Sequence, residues 1–258
     1  MARSARDCAI MLQVLAGYDA SDPTCKDVPV PDYLAALRGS VAGMKIAIER
    51  EHHTRIPGVL PEAVDAFERV VGVLESAGAS TVEVTIPHYD EITFAGRVNS
   101  RCEGAAFHLV DLRNHWADYG VHTRSAVGSA VMYSAADVVQ AQRVRQYGQK
   151  VIRELMRPFE VMVMLSRGTG APAIDGLTFE SYSTVPSFTS IWNSLGMPAL
   201  CIPMGYTNDG LPLSLQIVGK PFDEASVLRV GDAYQQITDW HLRVPPIATR
   251  SLEPAGVR

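Results

Sequence analysis

The sequence is short of several things, and each shortage excludes a class of protein. Of its 23 basic side chains only four are lysines, Lys26, Lys45, Lys150 and Lys220, and 28 acidic side chains leave a formal charge of −5. Such a balance provides no electrostatic footprint for nucleic acid or an anionic membrane. The four cysteines, Cys8, Cys25, Cys102 and Cys201, include no C-x-x-C pair. That argues against a zinc knuckle or a disulfide framework and for a reducing cytoplasm. No stretch approaches the roughly 18 uninterrupted apolar residues of a membrane helix, and the N-terminus lacks the apolar run of a signal peptide. A soluble, cytoplasmic chain with no membrane partner is therefore expected. Two motifs are also missing. There is no G-x-S-x-G nucleophile elbow, and no G-x-G-x-x-G, because Gly168-Thr-Gly170 runs into Ala-Pro-Ala and Gly219-Lys220 into Pro221. No cofactor is expected.

What the chain does have is apolar material, 47% of 258 residues, enough for a sizeable core. The hydrophobic pattern predicts helices over Ser4–Leu15, Asp32–Leu37, Pro61–Ala77, Glu91–Trp116, Ser134–Met156 and Asp223–Ile237, and another ending at Gly196. It predicts strands over Lys45–Ile48, Thr81–Ile86, Val161–Leu165, Ala199–Met204 and Leu213–Val218. The three last runs carry so few charges that they read as central strands covered on both faces. Asn208-Asp209-Gly210 between the final two predicts a hairpin, hence a partly antiparallel sheet. The expected fold is α/β, a mixed β-sheet flanked by helices on both faces, over residues 1–245, with a loose tail at 246–258. The first helix is odd, because its apolar stripe needs a partner surface and nothing upstream supplies one.

Several residues invite chemical readings. His108, His115 and His122 recur every seven residues, but one helix would separate neighbours by roughly 10 Å, too far for one zinc. Asp111 and His115 form a pair without a third ligand, so no metal site is expected. His52-His53 falls in a loop after a strand, where ligands bind parallel sheets, yet a solvated loop pair is the favoured reading. Lys26-Asp27 imitates the start of a lysine-dependent amidase site. No strand feeds it, and an exposed, charged lysine is expected.

The densest stretch is Asn193-x-x-Gly196-x-Pro198-Ala199, then Pro203-x-Gly205 and Gly210-Leu-Pro-x-x-x-Gln216-x-x-Gly219-x-Pro-Phe222. It resembles the C-terminal part of the amidase signature family. Met1-Ala-Arg-Ser-x-x-Asp-Cys-Ala with Gly17-x-Asp19-x-x-Asp22 resembles that family's middle. Tyr119-Gly120 to Gly128, with the helix from Asp137 to Arg145, resembles its later helical part. The likeness runs from Met1 to about Leu242. It implies a hydrolase or amide transferase acting on amide bonds, on a mixed α/β sheet. The family's catalytic serine, second serine and lysine lie in a Gly- and Ser-rich stretch before the segment that resembles Met1-Ala-Arg-Ser. Here no Gly-Gly-Ser-Ser-Gly-Gly run occurs and none of the four lysines matches, so no catalytic residue carries over.

The resemblance therefore implies the back portion of a longer domain, inactive by itself, acting on a small-molecule amide if completed by the missing N-terminal half. It marks Arg124, Thr189 and Asn193 as substrate-binding candidates. Val185-Pro-Ser-Phe188 stands where the tRNA-dependent amidotransferase branch has an acidic residue, which favours the amidases. The alternative is a non-catalytic remnant acting as a binding or interaction module. Losing half a sheet leaves a strand edge and apolar faces exposed, which predicts association, a homo-oligomer included.

Overall fold

The computed structural model describes residues 1–175, 177–178, 184–245 and 248. The expected tail, 246–258, lies outside the described residues apart from Ala248. The strands are β1 (Lys45–Glu49), β2 (Ser80–Val84), β3 (Val161–Leu165), β4 (Ala199–Tyr206) and β5 (Pro212–Gly219). They form one sheet in the order β2-β1-β3-β5-β4. β1 runs parallel to β2 and to β3, whereas β5 is antiparallel to both β3 and β4. This is the mixed sheet the hairpin signal implied. One placement differs from expectation: β4 is an edge strand, with Ala199 and Cys201 exposed, not a central one.

Nine α-helices are present among the described residues, where seven were expected: α1 (Ala5–Leu15), α2 (Tyr33–Ala36), α3 (Pro61–Ser76), α4 (Tyr89–Phe107), α5 (Leu109–Asn114), α6 (Val121–Gly128), α7 (Ala135–Met156), α8 (Ser190–Leu195) and α9 (Glu224–Ile237). Two helices make up the excess: the predicted helix over Glu91–Trp116 breaks at His108, which ends α4 and starts α5, and α6 forms in the stretch between the two long predicted helices. Local chemistry sets the other ends. Pro61 opens α3, where its missing N–H has no partner to lose. Ser134 and Asp137 cap α7 reciprocally, each side chain accepting from the other's backbone N–H.

The alternation of β3 divides the core in two. Val161, Val163 and Leu165 face one side, with Phe67, Val70 and Leu74 of α3 and Val230 of α9. Met162 and Met164 face the other, with Ile92 of α4, Ile152 and Met156 of α7 and Trp192 of α8. Each side chain of this size contributes roughly 1.5–3 kcal/mol on full burial. Helices thus cover both faces of β3.

A partner for the apolar stripe of α1 comes from the far end of the chain. Ala5 and Ala9 are buried, with Leu228 of α9 and Tyr33 of α2 in the same apolar cluster as Ala9. The approach is close enough that a Cβ on Gly231 would lie 3.3 Å from the Ala5 Cβ and 2.5 Å from Leu200 Cδ2. Only part of the α1 stripe is used, for Val14 remains 81% and Leu15 75% exposed. No helix among the described residues is long and apolar enough to cross a membrane.

Candidate functional site

The parallel strands β1 and β3 deliver their C-terminal ends to one side of the sheet. β1 ends in Glu49, whose side chain is fully buried. Its carboxylate accepts the His52 backbone N–H at 3.1 Å, contacts the His52 ring Nδ1 at 2.8 Å and also contacts the His53 ring Nδ1. His52 stacks on Tyr89 with ring centroids 4.4 Å apart, and His53 meets Phe188 edge-on at 4.6 Å. The expected solvated loop pair is corrected here: His53 is fully buried. The reason is Glu49, three and four residues earlier, which gathers both imidazoles around one carboxylate.

The electrostatics follow from that packing. Burial pushes the Glu49 carboxyl up, but the hydrogen bond and charge of His53 and the bonds from His52 outweigh it and hold it below the ordinary carboxylate range. Burial also disfavours a charged His53 and lowers its pKa, although Glu49 pulls the other way. At neutral pH the pair is thus a carboxylate accepting from a neutral imidazole through Nδ1–H, with His53 Nε2 buried and unpartnered. Burial and the neighbouring Glu49 charge raise the Tyr89 phenol, keeping it protonated.

β3 passes into Ser166 and Arg167, and the chain leading to α8 is laced onto that exit. Phe188 N–H donates to the Ser166 carbonyl at 3.1 Å, and Gly168 N–H donates to the Pro186 carbonyl at 3.2 Å. Gly168 is a packing glycine, because a Cβ there would sit 2.8 Å from Val59 Cγ2 and 3.1 Å from Pro186 Cβ. These bonds place α8 opposite α4. Between them lie two adjoining cavities of about 590 and 410 Å³ that share Arg97 and Ser190, so they form one groove. His52, Tyr89 and Arg167 line its first part, and Asn99, Arg145 and Asn193 its second.

Of the three residues singled out from the sequence, Asn193 lines this groove. Thr189 stands at the N-cap of α8 without a side-chain capping bond, and Arg124 sits half-buried on α6; neither lines the two cavities. Two residues carried no motif but stand in the wall. Arg97 has no carboxylate partner among the described residues, and Asn99 is only 5% exposed with its side-chain oxygen and nitrogen both unpartnered. The signal for Asn99 was there to find, a polar residue on the buried stripe of α4 that also carries Ile92, Ala95 and Val98. Arg145 donates from Nε to the Ser194 carbonyl at 2.6 Å, which ties α7 to α8 across the groove floor.

The seven-residue histidine series falls apart in space. His108 ends α4, His115 follows α5, and His122 lies in α6. His108 Nδ1 is 3.1 Å from the Tyr119 hydroxyl, and His115 is 3.9 Å from Asp111 with both side chains exposed. Among the described residues no group of three or more His, Cys, Asp or Glu could hold a metal. The four cysteines are free thiols, and Lys26 is exposed.

A sheet with both faces covered, and a groove lined partly by the Thr189–Asn193 stretch, matches the architecture that the sequence likeness implied. The family model described as Amidase matches residues 1–228. The chain belongs to the amidase family. It is 34% identical over 277 aligned residues to a subunit of the glutamyl-tRNA(Gln) amidotransferase of Roseiflexus castenholzii, covering 96% of this chain and 55% of that one. To an amidase of Pseudomonas putida it is 31% identical over 253 aligned residues, covering 95% of this chain and 54% of that one. Among solved structures, a chain of a vestigial complex bearing on the origins of an s-triazine catabolic enzyme superposes with a TM-score of 0.83 at 25% identity, covering 94% of this chain and 54% of its own. A 6-aminohexanoate cyclic dimer hydrolase shares the fold, with a TM-score of 0.79 at 18% identity over 96% of this chain and 56% of that one. The amidase-family chain thus spans about half the length of the curated relatives it matches.

Proposed function

We propose that this chain is the substrate-side portion of an amide-bond hydrolase, and that its 258 residues alone do not hydrolyse amides. Amide hydrolysis needs an activated nucleophile, a base that takes its proton, and N–H donors aimed at the developing oxyanion. The observation that carries the reading is that, among the described residues, no lysine ammonium hydrogen-bonds a serine hydroxyl. Lys220 reaches only the Arg157 carbonyl, at 3.4 Å. What the chain offers instead is a groove for a small-molecule amide. Asn193 and the unpartnered amide of Asn99 supply donors and acceptors for it and Arg97 supplies a cation, while Arg124 and Thr189, which line neither cavity, stand as binding candidates by family likeness. The nucleophile and base would come from a Gly- and Ser-rich stretch like that of the relatives.

A fluorophosphonate probe should therefore label no serine of the purified 258-residue chain, and peptide mapping by mass spectrometry reads this directly. A covalent adduct on any serine sinks the proposal. The open β4 edge and the exposed Val14 and Leu15 favour a second reading, a polypeptide-binding module. Sedimentation separates the two, because a soluble monomer with one cooperative thermal transition supports an independent module.

A further inference from the structure

We propose that a cavity at the end of the sheet where β3 begins is a second binding site, for an amphipathic carboxylate whose tail covers an apolar floor and whose head meets a cationic rim. The cavity encloses about 690 Å³, within the range of small-molecule sites. It opens where α7 ends, β3 begins and β5 ends, so the length of β3 separates it from Arg167 and the first part of the groove, while α8 lies between it and the second part, with Asn193 on the groove and Leu195 on the cavity. The inference is independent of amide hydrolysis.

The floor is Met156, Leu195 and Met197, of which the first two are buried. Phe222 stands exposed at the margin in a left-handed conformation, φ 63°, which a bulky side chain adopts only at a cost in strain. Four cations form the rim: Lys26, Arg153, Arg157 and Lys220. Half the lysines of a sparingly lysinated, net-negative chain thus converge on one cavity.

Their partners do not account for them. Arg157 pairs with Glu154 at 3.1 Å, while Lys26, Arg153 and Lys220 have no carboxylate partner among the described residues. The nearby Asp223 spends its carboxylate capping α9, through Ser226 N–H at 3.2 Å. Helix ends offer the other explanation, since α7 and α8 both terminate here. Each contributes roughly half a negative charge at most. Four cations against Glu154 and two helix ends still leave an excess of about two positive charges. An inorganic anion would satisfy the rim and leave the apolar floor unused, whereas a carboxylate with a hydrocarbon tail uses both.

The test titrates the full chain with decanoate, below its micelle concentration, by calorimetry. Saturable binding is expected, with decan-1-ol and inorganic phosphate each weaker by about ten-fold or more. The double variant R153E/K220E should weaken decanoate by about ten-fold or more, with the ligand-free melting transition recorded beside it to show that the variant is folded, since Lys220 donates to the Arg157 carbonyl and Arg153 sits in the last turn of α7. Lys26→Glu, on an exposed loop, provides a second variant with the same expected direction should the double variant fail to fold. The proposal is overturned if decanoate fails to saturate, if charge reversal leaves its affinity unchanged, or if decan-1-ol or phosphate binds as tightly.

Discussion

Replacing Glu49 by alanine should destabilise the fold by about 2–4 kcal/mol at neutral pH, read as a fall in the urea midpoint. The figure follows from what the carboxylate holds. It accepts from the His52 backbone and from two imidazoles, one of them fully buried. A buried donor left without an acceptor costs about 1–3 kcal/mol by itself. Glu49→Gln should lose less, because its amide oxygen still accepts one donor while its NH₂ faces another.

The same cluster sets a pH dependence whose sign can be worked out. The folded state lowers the His53 pKa, so its contribution is complete above the ordinary histidine value of 6.5 and is lost as pH falls below it. The folded state also lowers the Glu49 pKa, so that contribution is complete above the ordinary value of 4.5 and is lost as pH falls through the depressed folded value. Both act in one direction. Urea midpoints should begin to fall below about pH 6.5 and fall again in the acid range. Removing Glu49 should reduce the second decline, to which Glu68 and Asp137 also contribute, and midpoints that stay flat from pH 8 to 5 would contradict the buried neutral His53.

Trp192→Ala should cost about 3–5 kcal/mol, the range for deleting a large buried aromatic. Trp192 is 1% exposed and packs in the apolar cluster that joins α4, α7 and β3. It is the anchor of α8, which has only six residues and no side-chain capping bond to hold it. Thr189→Ala, on the same helix, should cost about 0.5 kcal/mol or less because its hydroxyl caps nothing. A chemical denaturation curve for each variant checks the contrast, and equal losses would mean that α8 is held by its cap and not by its tryptophan.

How far the sequence anticipated this molecule depends on how local each signal was. β3 was legible to the residue, and Pro61 and Ser134 announced the starts of their helices. The hairpin was legible from Asn208-Asp209-Gly210, since turn chemistry acts within a few residues. The rank of β4 was not, because a strand's apolar run says that it is buried on one face and nothing about which neighbours it has. His52 and His53 misled for a related reason. Their burial depends on Tyr89 and Phe188, brought from 35 or more residues away, as well as on Glu49 close by. Among the residues lining the groove, Asn193 was singled out by family likeness, whereas Arg97 and Asn99 needed the packing of α4 against α8 to acquire any meaning.

The docking of α1 on α9 also sets a timetable. The first helix leaves the ribosome more than 200 residues ahead of the one it rests on. At synthesis rates of about 5–20 residues per second, it waits roughly 10–45 s before its partner exists. During that interval only Tyr33 of α2 is at hand from this cluster, and the α9 side of Ala5 and Ala9 stays uncovered. Over the translation of the residues between the two helices, that side of α1 is open to holding factors that bind exposed apolar helices, and the completion of α9 is what releases it.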